Sequence, residues 1–250
     1  MSELLRTEGL KKSFGWVHAV DDVSLSIQEG ILTSIIGPNG AGKTTLINLL
    51  TGKLRPDSGS IIFKGEDITK LPAHKRVWKG INRSFQIINF FPALSVFENI
   101  AIPTLSLMHK SLDIRSNFKE LSDVKEKVEK ILSDINLLDK KDLPAKALSH
   151  GDQRLLELGM AMATDPQLLF LDEPTAGLSP VEKPYVLEPI KRLSSEKRAT
   201  FVVVEHDMDV VFSISDRIVV MHRGKIISDG KPEEIRRDRV VREVYLGEEF

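Results

Sequence analysis

The chain of 250 residues has no cysteine. It can build neither a disulfide nor a thiolate metal site, and that composition fits a reducing compartment. It also lacks a dominant charge. Lys and Arg number 35 against 36 Asp and Glu, a formal net charge of −1, which gives no support for wrapping nucleic acid. Apolar runs last only a few residues, far short of a membrane span. The N-terminal stretch carries Glu3, Arg6, Glu8, Lys11 and Lys12, so the apolar region of a signal peptide is missing. A role at a membrane must therefore come through a partner. No internal repeat or low-complexity segment stands out. The length suits one large domain, or a domain with a lobe inserted.

What the chain does have is a short apolar run, Leu32 to Ile36, that stops at a glycine turn: Gly37-Pro38-Asn39-Gly40-Ala41-Gly42-Lys43-Thr44-Thr45. Leu46, Ile47, Leu49 and Leu50 follow at helical spacing. Strand, loop and helix in this order, with Gly37, Gly42, Lys43 and Thr44 fitting G-x-x-x-x-G-K-[ST], predict a phosphate-binding loop. The glycines let successive N–H groups point inward at phosphate oxygens. The helix N-terminus adds free N–H groups and a dipole that favours anions. Lys43 can reach the β- and γ-phosphates, and the Thr44 hydroxyl can ligate Mg²⁺.

Around this loop the patterning changes twice. Leu4–Phe14 and Val17–Ile27 alternate apolar with polar residues and read as two antiparallel strands. Phe14 and Trp16 flank Gly15 between them, either as a plug at the strand ends or as a stacking surface for a base. A further strand, Ser60–Lys64, follows the turn at Pro56-Asp57-Ser58-Gly59, and Ile81–Phe85 is a short strand ending at Gln86. From Ile87 to about Ala163 the period becomes helical: a helix over Ser95–Leu107, ended or kinked near Pro103, one through Val124 to Leu138, and one over Asp152–Ala163. The charged stretch Asp113–Lys130 reads as a solvated face or loop. Strand character resumes at Gln167–Leu171 and Thr200–Val204, with a helix over Val181–Glu196 between them. A hairpin turns at His222-Arg223-Gly224, and a charged helical tail runs from Pro232.

Two strand ends carry chemistry. Leu168 to Leu171 ends at Asp172-Glu173, on the edge of an α/β sheet where ligands sit. Asp172 can hold Mg²⁺ through water, and Glu173, one side chain further, can polarise an attacking water. A strand-end Asp-Glu can also serve as a helix N-cap, but the phosphate loop upstream favours the catalytic pair. His206 ends the Thr200–Val204 strand, where a γ-phosphate would lie. Ser149 and Gly151, in Leu148-Ser149-His150-Gly151-Asp152-Gln153, open a helix and offer either an ordinary N-cap or a second anion site.

Taken in order, Gly37–Thr44, Gln86, Leu148–Gln153, Leu168–Glu173 and His206 resemble the nucleotide-binding subunit of ATP-binding-cassette (ABC) transporters, almost end to end. The resemblance implies an α/β fold with a P-loop NTPase (RecA-like) core, an N-terminal antiparallel β subdomain and an inserted α-helical subdomain. It places core and β subdomain in residues 1–86 and 164–250, and the insert in 87–163. It implies ATP and Mg²⁺ as cofactors, with Phe14 stacking on adenine and Gly37 to Thr45 cradling the phosphates. Thr44, Gln86 and Asp172 sit at the metal, Gln86 also sensing the membrane partner. Lys43, Glu173, Gln86 and His206 serve hydrolysis, Glu173 as general base. Ser149 and Gly151 cap the ATP of an opposite subunit. The chain departs from the family pattern in two places. His150 and Asp152 replace the third and fifth residues of the usual Leu-Ser-Gly-Gly-Gln, and Ser179 stands where most members have aspartate.

Ala176-Gly177-Leu178-Ser179-Pro180, the long insert and the ending Tyr245-Leu246-Gly247-Glu248 are similar to the branched-chain amino-acid importer group. Urea and amide importers and the lipopolysaccharide-export ATPase are the near alternatives. A soluble cassette acting on DNA or ribosomes is a remote one, because no second cassette, coiled coil or basic surface is present. The implied partners are transmembrane permease subunits, a second ATPase subunit and, indirectly, a solute-binding protein outside the cell. The implied location is the cytoplasmic face of the membrane. The segment from Gln86 to Asn99, whose apolar set runs from Phe85 to Phe97 and is in part core, is the expected permease dock, with Phe90, Phe91 and Leu94 as the candidate contacts.

Overall fold

The structure is a computed structural model that describes residues 2–84, 90–108 and 122–245. The chain opens with two long strands, β1 (Glu3–Phe14) and β2 (Val17–Gln28), then β3 (Thr33–Ile36), the phosphate loop and α1 (Lys43–Leu50). Next come β4 (Ser58–Phe63), the short β5 (Glu66–Asp67), α2 (Ala73–Trp78) and β6 (Ile81–Arg83). The helical stretch holds α3 (Val96–Leu107), α4 (Ser122–Asp134) and α5 (His150–Met162). The rest runs β7 (Leu168–Asp172), α6 (Glu182–Ser195), β8 (Thr200–Val204), α7 (Met208–Ile214), β9 (Arg217–His222), β10 (Lys225–Gly230), α8 (Pro232–Arg237) and α9 (Arg239–Tyr245).

The strands form two sheets. The first is antiparallel in the order β2-β1-β4-β5. The second has six strands, β10-β9-β3-β8-β7-β6, with β9, β3, β8, β7 and β6 parallel and β10 antiparallel at one edge. This is the α/β architecture expected from the alternation of apolar strands and helices, and of the P-loop NTPase type that the family resemblance implies.

Period-two alternation assigns the faces of the larger sheet. Leu168, Phe170, Val202 and Val204 point into a core shared with α1 and the inner faces of β1 and β2. Leu169, Leu171, Phe201 and Val203 point the other way, into a core shared with α3, α4, α5 and α6. A third cluster packs α8 and α9, through Ile235, Val241 and Tyr245, against Ile36, Ile218 and Val220. Among the described residues no helix is long and apolar enough to cross a membrane.

Some local expectations sharpen or change. α3 has the expected extent, to Leu107, and of the two alternatives near Pro103 the end does not occur. Proline removes one backbone donor, but Ser95 and Glu98 close a capping box at the helix start, and Ile100, Ala101, Thr104 and Leu105 are buried on both sides of the proline. α5 starts at His150, two residues earlier than its apolar face suggests, because Ser149 caps it. The tail is two short helices, with Asp238 accepting from the Val240 N–H between them.

Arg76 on α2 is 1% exposed and has no carboxylate among its acceptors. Its guanidinium donates to the carbonyls of Leu49 and Leu50 at 2.8 Å each, at the C-terminal end of α1, and to those of Leu71 and Thr69. Burial pushes the group down to about 10, and the carbonyls pay the desolvation back as hydrogen bonds. A cation at that end also suits the helix dipole, so α1 is anchored at the end remote from the phosphate loop.

Candidate active site

The loop between β3 and α1 has the shape the glycines were expected to give it. Gly42 has φ +101°, and a Cβ there would lie 2.1 Å from the Ala19 carbonyl oxygen. Gly37 has φ +154°, and a Cβ would lie 2.2 Å from the Met221 carbonyl oxygen. Both positions therefore exclude any side chain, and the loop is wedged between β2 and β9. Asn39, Gly40 and Thr44 are exposed at its mouth, while Ala41 is buried beneath them. Lys43 bends back over the loop, and its Nζ donates to the carbonyls of Gly37 and Pro38. That places a cation above the ring of loop amides, at a helix N-terminus, which is the electrostatics a triphosphate needs.

Asp172 ends β7, and Glu173 follows with φ +48°, a left-handed conformation rare outside glycine. Its N–H donates to the Val204 carbonyl at 2.9 Å, so the strand pairing holds the turn. Such strain persists where the surroundings over-determine it. Glu205, 1% exposed, supplies the rest: it accepts from the Thr175 hydroxyl at 2.7 Å and from the Thr175 and His206 N–H groups. His206 thus sits beside the turn, its Nδ1 3.6 Å from Glu173 Oε1. The structure brings these two predicted residues together, with the imidazole largely exposed. Asp207 then caps α7 and pairs with Lys183; that hydrogen bond holds its carboxyl below the usual range.

Asp172 is 5% exposed, and its carboxylate is engaged by Arg83 at the end of β6. The other arm of Arg83 donates to Asn48 Oδ1 on α1 at 2.6 Å. Arg83 and Glu205 were not singled out in the sequence. The available signal was position: Arg83 lies three residues before Gln86, and Glu205 stands between an apolar strand and His206. Gln86 itself lies outside the described residues.

The donor set suits a hard cation. The Thr44 hydroxyl and the Asp172 carboxylate offer oxygen donors, few in number, as Mg²⁺ would require with phosphates and waters completing its shell. No cluster of three or more His, Cys, Asp or Glu occurs among the described residues, so an all-protein metal cage is not built there.

Phe14 and Trp16 are 50% and 98% exposed, which rules out the strand-end plug. Lys12 Nζ lies 5.7 Å from the Phe14 ring centroid, and Asp57 ties that segment down by accepting from Lys12 Nζ and the Ser13 N–H, each at 2.7 Å. Ser149 caps α5, accepting from the Asp152 N–H at 3.2 Å. Gly151 is buried, while Ser149 and His150 are exposed. α5 packs on α3, α4 and α6, whereas the phosphate loop is wedged between β2 and β9. A cleft of about 630 Å³, lined by Gly30, Asp123, Lys127, Asp165 and Thr200 among others, opens at the opposite edge of the parallel strands. Lys127 and Asp165 pair with each other there.

Known proteins resemble this chain in sequence and in fold. The family described as ABC transporter matches residues 20–176, and one described as branched-chain amino acid ATP-binding cassette transporter matches residues 225–250. The high-affinity branched-chain amino acid transport ATP-binding protein BraF of Pseudomonas aeruginosa is 40% identical over 98% of each chain. LivG of Escherichia coli, of the same description, is 37% identical over 98% of each. A nucleotide-free ATP-binding cassette from an ABC transporter superposes with a TM-score of 0.85 at 36% identity, over 99% of this chain and 100% of that one. A dimeric cassette described as a post-hydrolysis state bound to ADP and Pi gives 0.75 at 25% identity, over 92% and 99%. With the phosphate loop, the Asp172-Glu173 turn and His206 set on a whole-chain likeness of this depth, the chain belongs to the ABC transporter family, as one of its ATP-binding-cassette ATPases.

Proposed function

We propose that this chain is the ATP-hydrolysing subunit of an importer for branched-chain amino acids. The observation that carries the chemistry is the turn at Glu173: a carboxylate on a left-handed residue, 3.6 Å from His206, at the same sheet edge as the phosphate loop. Glu173 takes a proton from the attacking water, and His206 steadies that carboxylate and the γ-phosphate. Gly37 to Thr45 hold the phosphates through backbone N–H groups, with Lys43 turning from its two carbonyls to the β- and γ-oxygens. Thr44, Asp172 and Gln86 would hold Mg²⁺, which supplies charge neutralisation on the phosphates when bound. Phe14 stacks on adenine. The names of the relatives and the match over residues 225–250 favour branched-chain amino acids over urea or amides as cargo.

The reading divides the chain into core and β subdomain, residues 1–86 and 164–250, and a helical lobe, residues 87–163. It places the subunit on the cytoplasmic face, held there by permeases, and pairs it with a second cassette. Ser149 and Gly151 sit at a helix N-terminus away from the chain's own phosphate loop. A second anion site is accounted for if it serves the ATP of the partner cassette, so that nucleotide closes the pair and hydrolysis opens it. The testing experiment is leucine uptake by cells or vesicles holding the cognate permeases. Wild type supports ATP-dependent uptake and Glu173→Gln does not; uptake of urea but not leucine would overturn the cargo.

A further inference from the structure

The carboxylate of Asp152, where the family usually has glutamine, is not at the surface of the signature. Its side chain is 7% exposed and is held from two sides. The Tyr185 hydroxyl, on α6, donates to Oδ1 at 2.9 Å, and Lys140 Nζ donates to Oδ2 at 2.8 Å. The Asp152 N–H meanwhile donates to the Ser149 hydroxyl. The Tyr185 ring also lies over Gly151: a Cβ built there would be 3.4 Å from its Cδ1. One tyrosine therefore touches both Gly151 and the residue that fixes Ser149.

The chemistry selects aspartate. Two donors converge, and a carboxylate offers an acceptor oxygen to each and a charge to the ammonium; an amide could serve Lys140 only by turning its NH₂ to the phenol, which would then have to accept instead of donate. Burial works against the charge, but the hydrogen bonds from Lys140, Ser149 and Tyr185 outweigh it, so the carboxyl sits below its usual range. Burial and Asp152 together push the phenol up to about 12, so it remains a donor at any working pH. Tyr185 also stands one turn after Glu182, which accepts from the N–H and hydroxyl of Ser179 at 2.9 and 2.7 Å. A chain of contacts thus runs from the loop at Ser179 along α6 to Tyr185, Asp152 and the start of α5.

We propose that Tyr185 is a positioning residue for the signature, acting through Asp152 with Lys140 as its counter-ion, so that α6 sets where Ser149 and Gly151 meet the partner cassette's ATP. The proposal rests on the shared-site reading above. Tyr185→Phe keeps the ring on Gly151 and removes only the hydroxyl; Asp152→Asn removes the charge. The test uses the full chain. ATP affinity of the isolated chain is measured by titration, turnover as kcat and KM in the assembled transporter, and folding by thermal melting. The expected result for both variants is a kcat about tenfold lower with unchanged ATP affinity in the isolated chain, because its own phosphate loop is untouched. Wild-type kcat in both variants, or a loss of turnover matched by an equal loss of ATP affinity, overturns the proposal. Ser149→Arg separates the two levels: if it stops turnover while Tyr185→Phe does not, this proposal alone fails, and if it leaves turnover intact, the shared site fails with it.

Discussion

Arg83 holds the carboxylate of Asp172, with both side chains in the interior between β6 and β7. The acid expected at the metal is thus already neutralised by a cation of its own chain, and the same guanidinium reaches Asn48 on the helix that follows the phosphate loop. Removing one partner of a buried pair strands the other, at a cost of about 3–5 kcal/mol. Arg83→Met is expected to lower the melting temperature of the nucleotide-free chain by several degrees, and Mg²⁺-ATP to restore more of the loss than it adds to wild type. Melts with and without Mg²⁺-ATP check this; equal shifts in both proteins would show that metal and Arg83 do not share Asp172.

Glu173→Gln preserves shape and removes the proton acceptor. Turnover should fall about 10²–10⁴-fold while ATP still binds. In this background ATP should drive association with the partner cassette, read by sedimentation with and without nucleotide. Turnover at the wild-type rate would remove Glu173 from the role of base.

Phe14→Ala should weaken ATP binding about tenfold, in line with roughly 1–3 kcal/mol for a base stacked on an aromatic ring. Trp16→Ala should leave the affinity unchanged. The reverse pattern in a nucleotide titration would assign the adenine to the indole.

Asp207→Asn isolates a charge, since asparagine also caps a helix. The Lys183 hydrogen bond holds the folded-state carboxyl below its unfolded value. Between those two values the unfolded chain binds more protons, so stability rises with pH, is complete above about pH 5 and is lost as pH falls through the lowered value. The variant should therefore lose stability at neutral pH and show a flatter acid limb in melts from pH 7 to pH 3. A limb as steep as that of wild type would show that this pair contributes nothing to it.

Phe91 is 52% exposed, whereas Phe90 packs on the core and Leu94 is half-buried. Among the described members of the apolar set expected to receive a permease, Phe91 is the most exposed. Phe91→Glu should reduce uptake in the assembled transporter without changing ATP turnover by the free subunit. Retained uptake would place the dock elsewhere.

The features legible in the sequence were those whose signal is local. The phosphate loop is written in consecutive residues, and β7 and β8 announce themselves as apolar runs ended by acids. What escaped depends on partners distant in the chain. Arg83 meets Asp172 only because Ile81 to Arg83 lie in register with Leu168 to Phe170. Tyr185 meets Asp152 only after α6 packs on α5. Arg76 sits on a six-residue helix with no apolar period to mark it, and its acceptors are carbonyls, which no side-chain pattern reveals. Pro103 marked an end or a kink because its local cost is visible, while the burial on both sides of it is not.

The apolar cluster that joins α3, α4 and α5 to one face of β7 and β8 has a calorimetric consequence. A helical lobe with a core of its own could melt before the sheet. Here Leu155, Leu158 and Ile100 share one buried layer with Leu169 and Phe201, so unfolding either part exposes the other. Heating should give one endotherm whose van't Hoff and calorimetric enthalpies agree, the mark of a single cooperative unit.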